Sequence, residues 1–222
     1  MADFPFDVIA FDLDGTLADT APDLAAALNH TLVALGRPKV DPDSVRHLVG
    51  HGAKALLRKA LGAGEETLVE QGFPIYLDYY AANICVGTAR YPGLDEAMDA
   101  LVAHGAKLAV CTNKPERLTH KLIEALGWQE RFAAIVGADT LAVKKPDPLP
   151  LREAIARAGG RRAAYVGDSI VDAETARAAG LPFVAVSFGF SDRPVAQLGA
   201  DAVIDSFAEL VGTLERLGRQ WQ

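Results

Sequence analysis

The chain has 222 residues, half of them hydrophobic, with 22 basic against 29 acidic side chains and a net charge of −7. That length suits one large domain or a core with one insertion, and the acidic balance speaks against an extended nucleic-acid surface while leaving room for a small anionic ligand at a locally positive site. No apolar run reaches a membrane span, Met1–Phe6 lacks the basic stretch of a secretory leader, and Cys85 and Cys111 form no Cys-x-x-Cys pair, so a cytoplasmic protein with reduced thiols is expected.

The first predicted element is a buried strand near 6–12, carried by Val8-Ile9-Ala10-Phe11. It runs into Asp12-Leu13-Asp14-Gly15-Thr16. Carboxylates at the end of a buried strand are costly unless a metal, a partner or chemistry requires them. The plainer reading is a polar strand end with an Asp-Gly turn. A stretch without a convincing strand follows to about residue 88, with helical patterns near 22–36, 43–49, 53–61 and 66–82. Thr20-Ala21-Pro22-Asp23 reads as a helix start, and Gly36 with Pro38 as its stop.

From Pro92-Gly93 onward helices and strands alternate. Helices near 94–104, 115–126, 148–158 and 170–179 are each followed by a strand, near 107–112, 132–136, 163–166 and 182–186. A short strand near 202–204 and a helix near 207–217 finish the chain. The pattern predicts an α/β fold: a doubly wound, mostly parallel sheet with a Rossmann-like core. An all-helical insertion far longer than an ordinary loop interrupts it after the first strand. The expected division is a core of residues 1–15 and 91–222 and a helical cap domain of residues 16–90.

Three further motifs sit at predicted strand ends. Thr112-Asn113-Lys114 offers a hydroxyl, an amide and an ammonium to a phosphate, or serves as a simple helix-start turn. Lys144-Lys145-Pro146-Asp147-Pro148 holds a lysine on a stiffened backbone, or is a solvated basic loop. Gly167-Asp168-Ser169-Ile170-Val171-Asp172 again puts an acid at a strand end; Asp172 also suits a helix N-terminus. In a doubly wound sheet all four motifs converge on one edge. Carboxylate oxygens are magnesium ligands, and lysine, threonine and asparagine donors around such an ion make a phosphoryl site.

These four ordered motifs, with the helical insertion after the first, resemble the haloacid-dehalogenase superfamily of phosphohydrolases over essentially the whole chain. Within it, Thr20-Ala21-Pro22-Asp23-Leu24, Val49-Gly50-His51-Gly52-Ala53, Thr112-Asn113-Lys114-Pro115 and Lys145-Pro146-Asp147-Pro148 are most similar to the phosphoglycolate phosphatases. The resemblance implies a magnesium-dependent phosphomonoester hydrolase. Asp12 is then the nucleophile and Asp14 the general acid and base. Mg2+ is held by Asp12, the Asp14 carbonyl and Asp168, with Asp172 orienting a partner. Thr112, Asn113 and Lys145 are expected to bind the phosphate, and Lys145 to balance Asp12. In the cap, His51 and Lys54 are the specificity candidates, with Arg46 and Arg58 as further cations; an ordinary surface loop is the alternative there. The implied partner is a small phosphorylated metabolite, 2-phosphoglycolate first, handled by a monomer or homodimer without nucleic-acid or membrane partners. A phosphosugar mutase, or a phosphatase for another small ester, is the rival. A receiver-type signalling module would be shorter, without the insertion. The carboxylate at Asp14 speaks against a dehalogenase or phosphonate hydrolase. Cys111, Trp128 and Trp221 read as packing or surface residues, and Ser187-Phe188-Gly189-Phe190 as either packing or site lining.

Overall fold

Val8–Phe11 (β1) is apolar throughout, and such a strand is stable where both faces are covered. In the computed structural model, which describes residues 4–191 and 193–221, it lies third in a six-stranded sheet. Lys107–Cys111 (β4), Ala134–Val136 (β5), Ala163–Gly167 (β6), Phe183–Val186 (β7) and Ala202–Ile204 (β8) complete it in the order β5-β4-β1-β6-β7-β8. Every pairing is parallel. The chain moves outward from β1 through β4 to β5, then returns to the other side of β1 for β6. That reversal is the topological switch of a Rossmann-like core.

The two faces of the sheet differ in bulk. Ile9, Phe11, Leu108, Val110, Val166 and Val184 pack on one side, against Leu94–Ala103 (α4), Glu116–Ala125 (α5) and Leu210–Gly218 (α8). Val8, Ala10, Ala109, Ala163 and Ala185 face the other, against Leu149–Ala158 (α6) and Ile170–Ala179 (α7). Alternation along each strand sends successive side chains to opposite faces. Register does the rest. Phe11 aligns with both Val110 and Val166, so the chain leaves β1, β4 and β6 at similar heights and Asp12, Thr112 and Asp168 emerge on one edge.

Between β1 and α4 lie Ala21–Ala34 (α1), Ala53–Leu61 (α2) and Glu66–Ala82 (α3), with a 3₁₀ helix at Pro42–Leu48. The helical period near 43–49 thus tightens into 3₁₀ form, capped by the Asp41 carboxylate on the Asp43 N–H at 3.1 Å. The stretch also holds two short strands that periodicity does not reveal. Ala18–Asp19 (β2) pairs antiparallel with Ala89–Arg90 (β3), so outgoing and returning chains run side by side. Asp23 secures that crossing: its buried carboxylate accepts from the backbone N–H groups of Val86, Gly87 and Thr88 at 2.8–3.0 Å and from the Thr88 hydroxyl at 2.7 Å. No helix of the described residues is long and apolar enough to cross a membrane.

Candidate active site

The β1 ladder continues one residue past the strand, where Asp12 N–H donates to the Val166 carbonyl at 2.9 Å. The chain then closes a tight turn on the Leu13 carbonyl, which accepts from Thr16, Leu17 and Ala18. Gly15 has φ +83°, and a Cβ there would collide with the Asp168 carboxylate and the Phe190 ring. The turn therefore presses the loop after β1 against the loop after β6.

Lys145 stands beneath these loops with a side chain only 1 % exposed. Its Nζ lies 2.9 Å from Asp12 Oδ1, 2.7 Å from Asp172 Oδ1 and 2.9 Å from the Tyr165 hydroxyl. Asp12 pairs with Lys145, and among the described residues its carboxylate accepts no hydrogen bond from a backbone or hydroxyl donor. Asp172 has none of that freedom. Its Oδ2 accepts from the Ser169 hydroxyl at 2.5 Å and the Ser169 N–H at 3.0 Å, completing a capping box at the start of α7. Asp168 accepts from the Thr16 hydroxyl at 2.8 Å and from the Phe190 N–H at 2.6 Å. The loop through Phe190, left open between packing and site lining, thus supplies a backbone donor to Asp168.

Asp12, Asp168 and Asp172 each offer a carboxylate oxygen within 4.8 Å of the others. Burial pushes the Asp12 carboxyl up to about 7 against the pull of Lys145, with Asp172 and Asp14 adding repulsion. Burial, with the charges of Asp172 and Asp12, drives Asp168 well above the carboxylate range. Burial also opposes ionisation of Asp172, but the adjacent Lys145 and the hydroxyls of Ser169 and Tyr165 outweigh it and hold that carboxyl low. One ammonium faces three carboxylates, an imbalance that a divalent cation relieves. The donor set fits such a cation: oxygen ligands close together, with lone pairs of Asp12 and Asp168 still available. Asp172 is spent on Lys145 and the helix cap, in keeping with an orienting role.

Asp14 turns toward the inserted helices. Its Oδ1 accepts from the Thr20 hydroxyl and from Lys114 Nζ, each at 2.7 Å. Lys114 also donates to the Tyr80 hydroxyl at 3.0 Å, with its Nζ 4.6 Å from the centre of the Tyr80 ring. Thr112 accepts from the Lys114 N–H at 3.2 Å, which leaves its own hydroxyl proton to give. Asn113 is differently employed: its amide donates to the carbonyls of Gly50 and Lys145, both at 3.1 Å, and its Oδ1 is buried without a partner.

A small cleft, with room for about 40 Å³, opens over Asp12, Asp14, Thr112, Asn113 and Lys114. Its far wall is mainly apolar, from Leu24, Leu56, Tyr76, Leu77, Tyr80 and Leu118. The Gly50–Gly52 loop roofs it and is held to the core through Asn113 and through Lys144 Nζ, 3.1 Å from the His51 carbonyl. The sequence-derived core residues Asp12, Asp14, Thr112, Asn113, Lys145, Asp168 and Asp172 therefore meet. Lys54 does not join them: it pairs with Glu70 at 2.7 Å on the outer surface, over the Phe73 ring. Arg58 pairs with Glu66 and Arg46 with Asp19. His51 contributes its carbonyl to the roof, while its flanking glycines line the cleft. The Lys114–Tyr80 contact escaped sequence reasoning, because nothing local links a strand-end lysine to a tyrosine 34 residues earlier.

The profile of the haloacid dehalogenase-like hydrolase family matches residues 9–186. A phosphoglycolate phosphatase of Mesorhizobium japonicum is 47% identical over 219 residues, covering 96% of each chain. That of Agrobacterium fabrum is 45% identical, covering 92% of this chain and 90% of its own. The crystal structure of a predicted phosphoglycolate phosphatase from Haemophilus somnus superposes with a TM-score of 0.85 at 31% identity, over 94% of this chain and 98% of that one.

Proposed function

The chain belongs to the haloacid dehalogenase-like hydrolases and is a phosphoric monoester hydrolase, and from that premise we propose that it converts 2-phosphoglycolate to glycolate and phosphate through an aspartyl-phosphate. The observation that carries the chemistry is Asp12: a buried carboxylate with Lys145 2.9 Å away and Asp168 alongside. The substrate rests on the names of the relatives and on the short cleft.

An Asp12 oxygen attacks phosphorus as the bond to the leaving oxygen breaks, and Asp14 donates a proton to that alkoxide. Water then attacks phosphorus, Asp14 takes its proton, and Asp12 departs as carboxylate. Lys145 balances the Asp12 charge in the resting site. The Thr112 hydroxyl and, after release of a carbonyl partner, the Asn113 amide bind phosphate oxygens. Asp12, Asp168 and the Asp14 carbonyl would hold Mg2+, which offsets repulsion between nucleophile and phosphate. Residues 16–90 act as a cap that excludes water, with the 50–52 loop as the closing edge. A phosphate-release screen over small phosphomonoesters, with and without Mg2+, tests the reading. Preference for 2-phosphoglycolate with loss of activity in chelator is expected; isomerisation of a sugar phosphate without free phosphate overturns it.

A further inference from the structure

Sequence reasoning looks to the cap for the cation that reads the substrate's carboxylate, yet Lys54, Arg58 and Arg46 are each paired with an acid. Among the described residues, the only cationic side chain lining the cleft is Lys114, which comes from the core. Lys145 sits below Asp12, with Asp12, Asp172 and Tyr165 around its Nζ.

Lys114 is unusual for a lysine. Its side chain is 3 % exposed, and its ammonium has two hydrogen-bond partners, Asp14 Oδ1 at 2.7 Å and the Tyr80 hydroxyl at 3.0 Å. An ammonium has three N–H donors; two meet Asp14 and the Tyr80 hydroxyl, and beyond them the ammonium has only the face of the Tyr80 ring, 4.6 Å from Nζ to its centre. A ring face is a far weaker partner than a carboxylate, so an anionic group in the cleft competes well for that charge. Position matters as well. Lys114 touches the carboxylate assigned to the leaving oxygen. In 2-phosphoglycolate a single methylene separates that oxygen from the carboxyl carbon, so an ester oxygen at Asp14 brings the substrate carboxylate to Lys114. The apolar wall beyond has little to offer a long polyhydroxylated leaving group.

We infer that Lys114, aimed by the Tyr80 hydroxyl from the inserted helices, is the specificity residue that selects phosphomonoesters bearing a carboxylate next to the ester carbon. The inference rests on the phosphatase reading above. It places substrate choice at a junction that exists only when α3 is folded down on the core, because Tyr80 belongs to α3 and Lys114 to the loop that follows β4.

The test compares 2-phosphoglycolate with ethyl phosphate, in which a methyl replaces the carboxylate, and reads the ratio of their kcat/KM values. A loss shared by both esters, as from disturbing Asp14, cancels in that ratio. Wild-type protein should favour 2-phosphoglycolate by at least about tenfold, the scale of one buried charge-assisted hydrogen bond. Lys114→Met should lower the ratio by about ten- to a hundredfold, Lys114→Arg should restore much of it, and Tyr80→Phe should lower it by a few-fold. A ratio unchanged in Lys114→Met overturns the inference, as does a wild type indifferent to the carboxylate; that second measurement stands even where the methionine variant does not fold. Release of phosphate from neither ester would instead refute the phosphatase reading itself.

Discussion

The strand-end site and the cap surface handle charge in opposite ways. At the site, Lys145, Asp12, Asp172 and Asp168 are almost fully buried and hold one another together with neighbouring loops and the start of α7. On the cap, Lys54–Glu70, Arg58–Glu66 and Arg37–Glu65 are open to water. A buried charge is worth keeping only where another charge, a metal or a reaction uses it, whereas an exposed pair contributes little and is free to vary. The contrast explains why Lys54, a lysine in the cap singled out for specificity, is ordinary, while Lys114 in the core, offered only as a phosphate donor, is not.

Replacing Asp12 breaks the comparison most severely. Asp12→Asn should reduce turnover by at least about a thousandfold, because the amide cannot attack phosphorus. The melting temperature should hold or rise in chelator, since a carboxyl that burial pushes upward is replaced by a neutral group. Thermal melts beside phosphate-release assays check both halves; inactivity with a collapsed fold would mean that Asp12 is structural.

Lys145→Met should abolish activity and also cost about 3–5 kcal/mol of stability, since it strands two buried carboxylates without their cation. Urea unfolding measures the loss. A cost below about 1 kcal/mol would show that the network is weaker than its geometry.

A pH series tests the imbalance of charge. Asp12 is raised to about 7 from 3.8 and Asp168 is raised as well, so between those values the folded protein binds more protons than the unfolded chain. Stability in chelator should therefore fall as pH rises from about 4 to about 7, and go on falling less steeply beyond that while Asp168 keeps its proton in the folded state. Millimolar Mg2+ should flatten that slope. A slope of the opposite sign would mean that the carboxylates are fully compensated without a cation.

The smallest effect is expected outside. Lys54→Ala should cost at most about 0.5 kcal/mol and leave the KM for 2-phosphoglycolate within about twofold, as an exposed ion pair would. A large rise in KM would bring Lys54 back into substrate recognition and weaken the case for Lys114.

Much of the core was legible because buried parallel strands are continuous apolar runs, and a charge that ends one stands out against them. Asp12 and Asp168 announced themselves in this way, and Gly15 marked the turn that its +83° φ requires. The ribbon of Ala18–Asp19 and Ala89–Arg90 did not, because two residues carry no period. Nor did the employment of the Asn113 amide on the Gly50 and Lys145 carbonyls, which depends on where two distant loops come to rest.

By itself the sequence determined the long strands and helices of the core and which acids and cations stand at strand ends, since hydrophobic period and turn chemistry are local. Tertiary structure alone decided which charge meets which. Asp14 and Lys114 are 100 residues apart and touch at 2.7 Å, and Lys54 points to Glu70 rather than inward. Pairing between distant groups follows from strand order, register and the seating of the cap, and no local pattern in the chain encodes those.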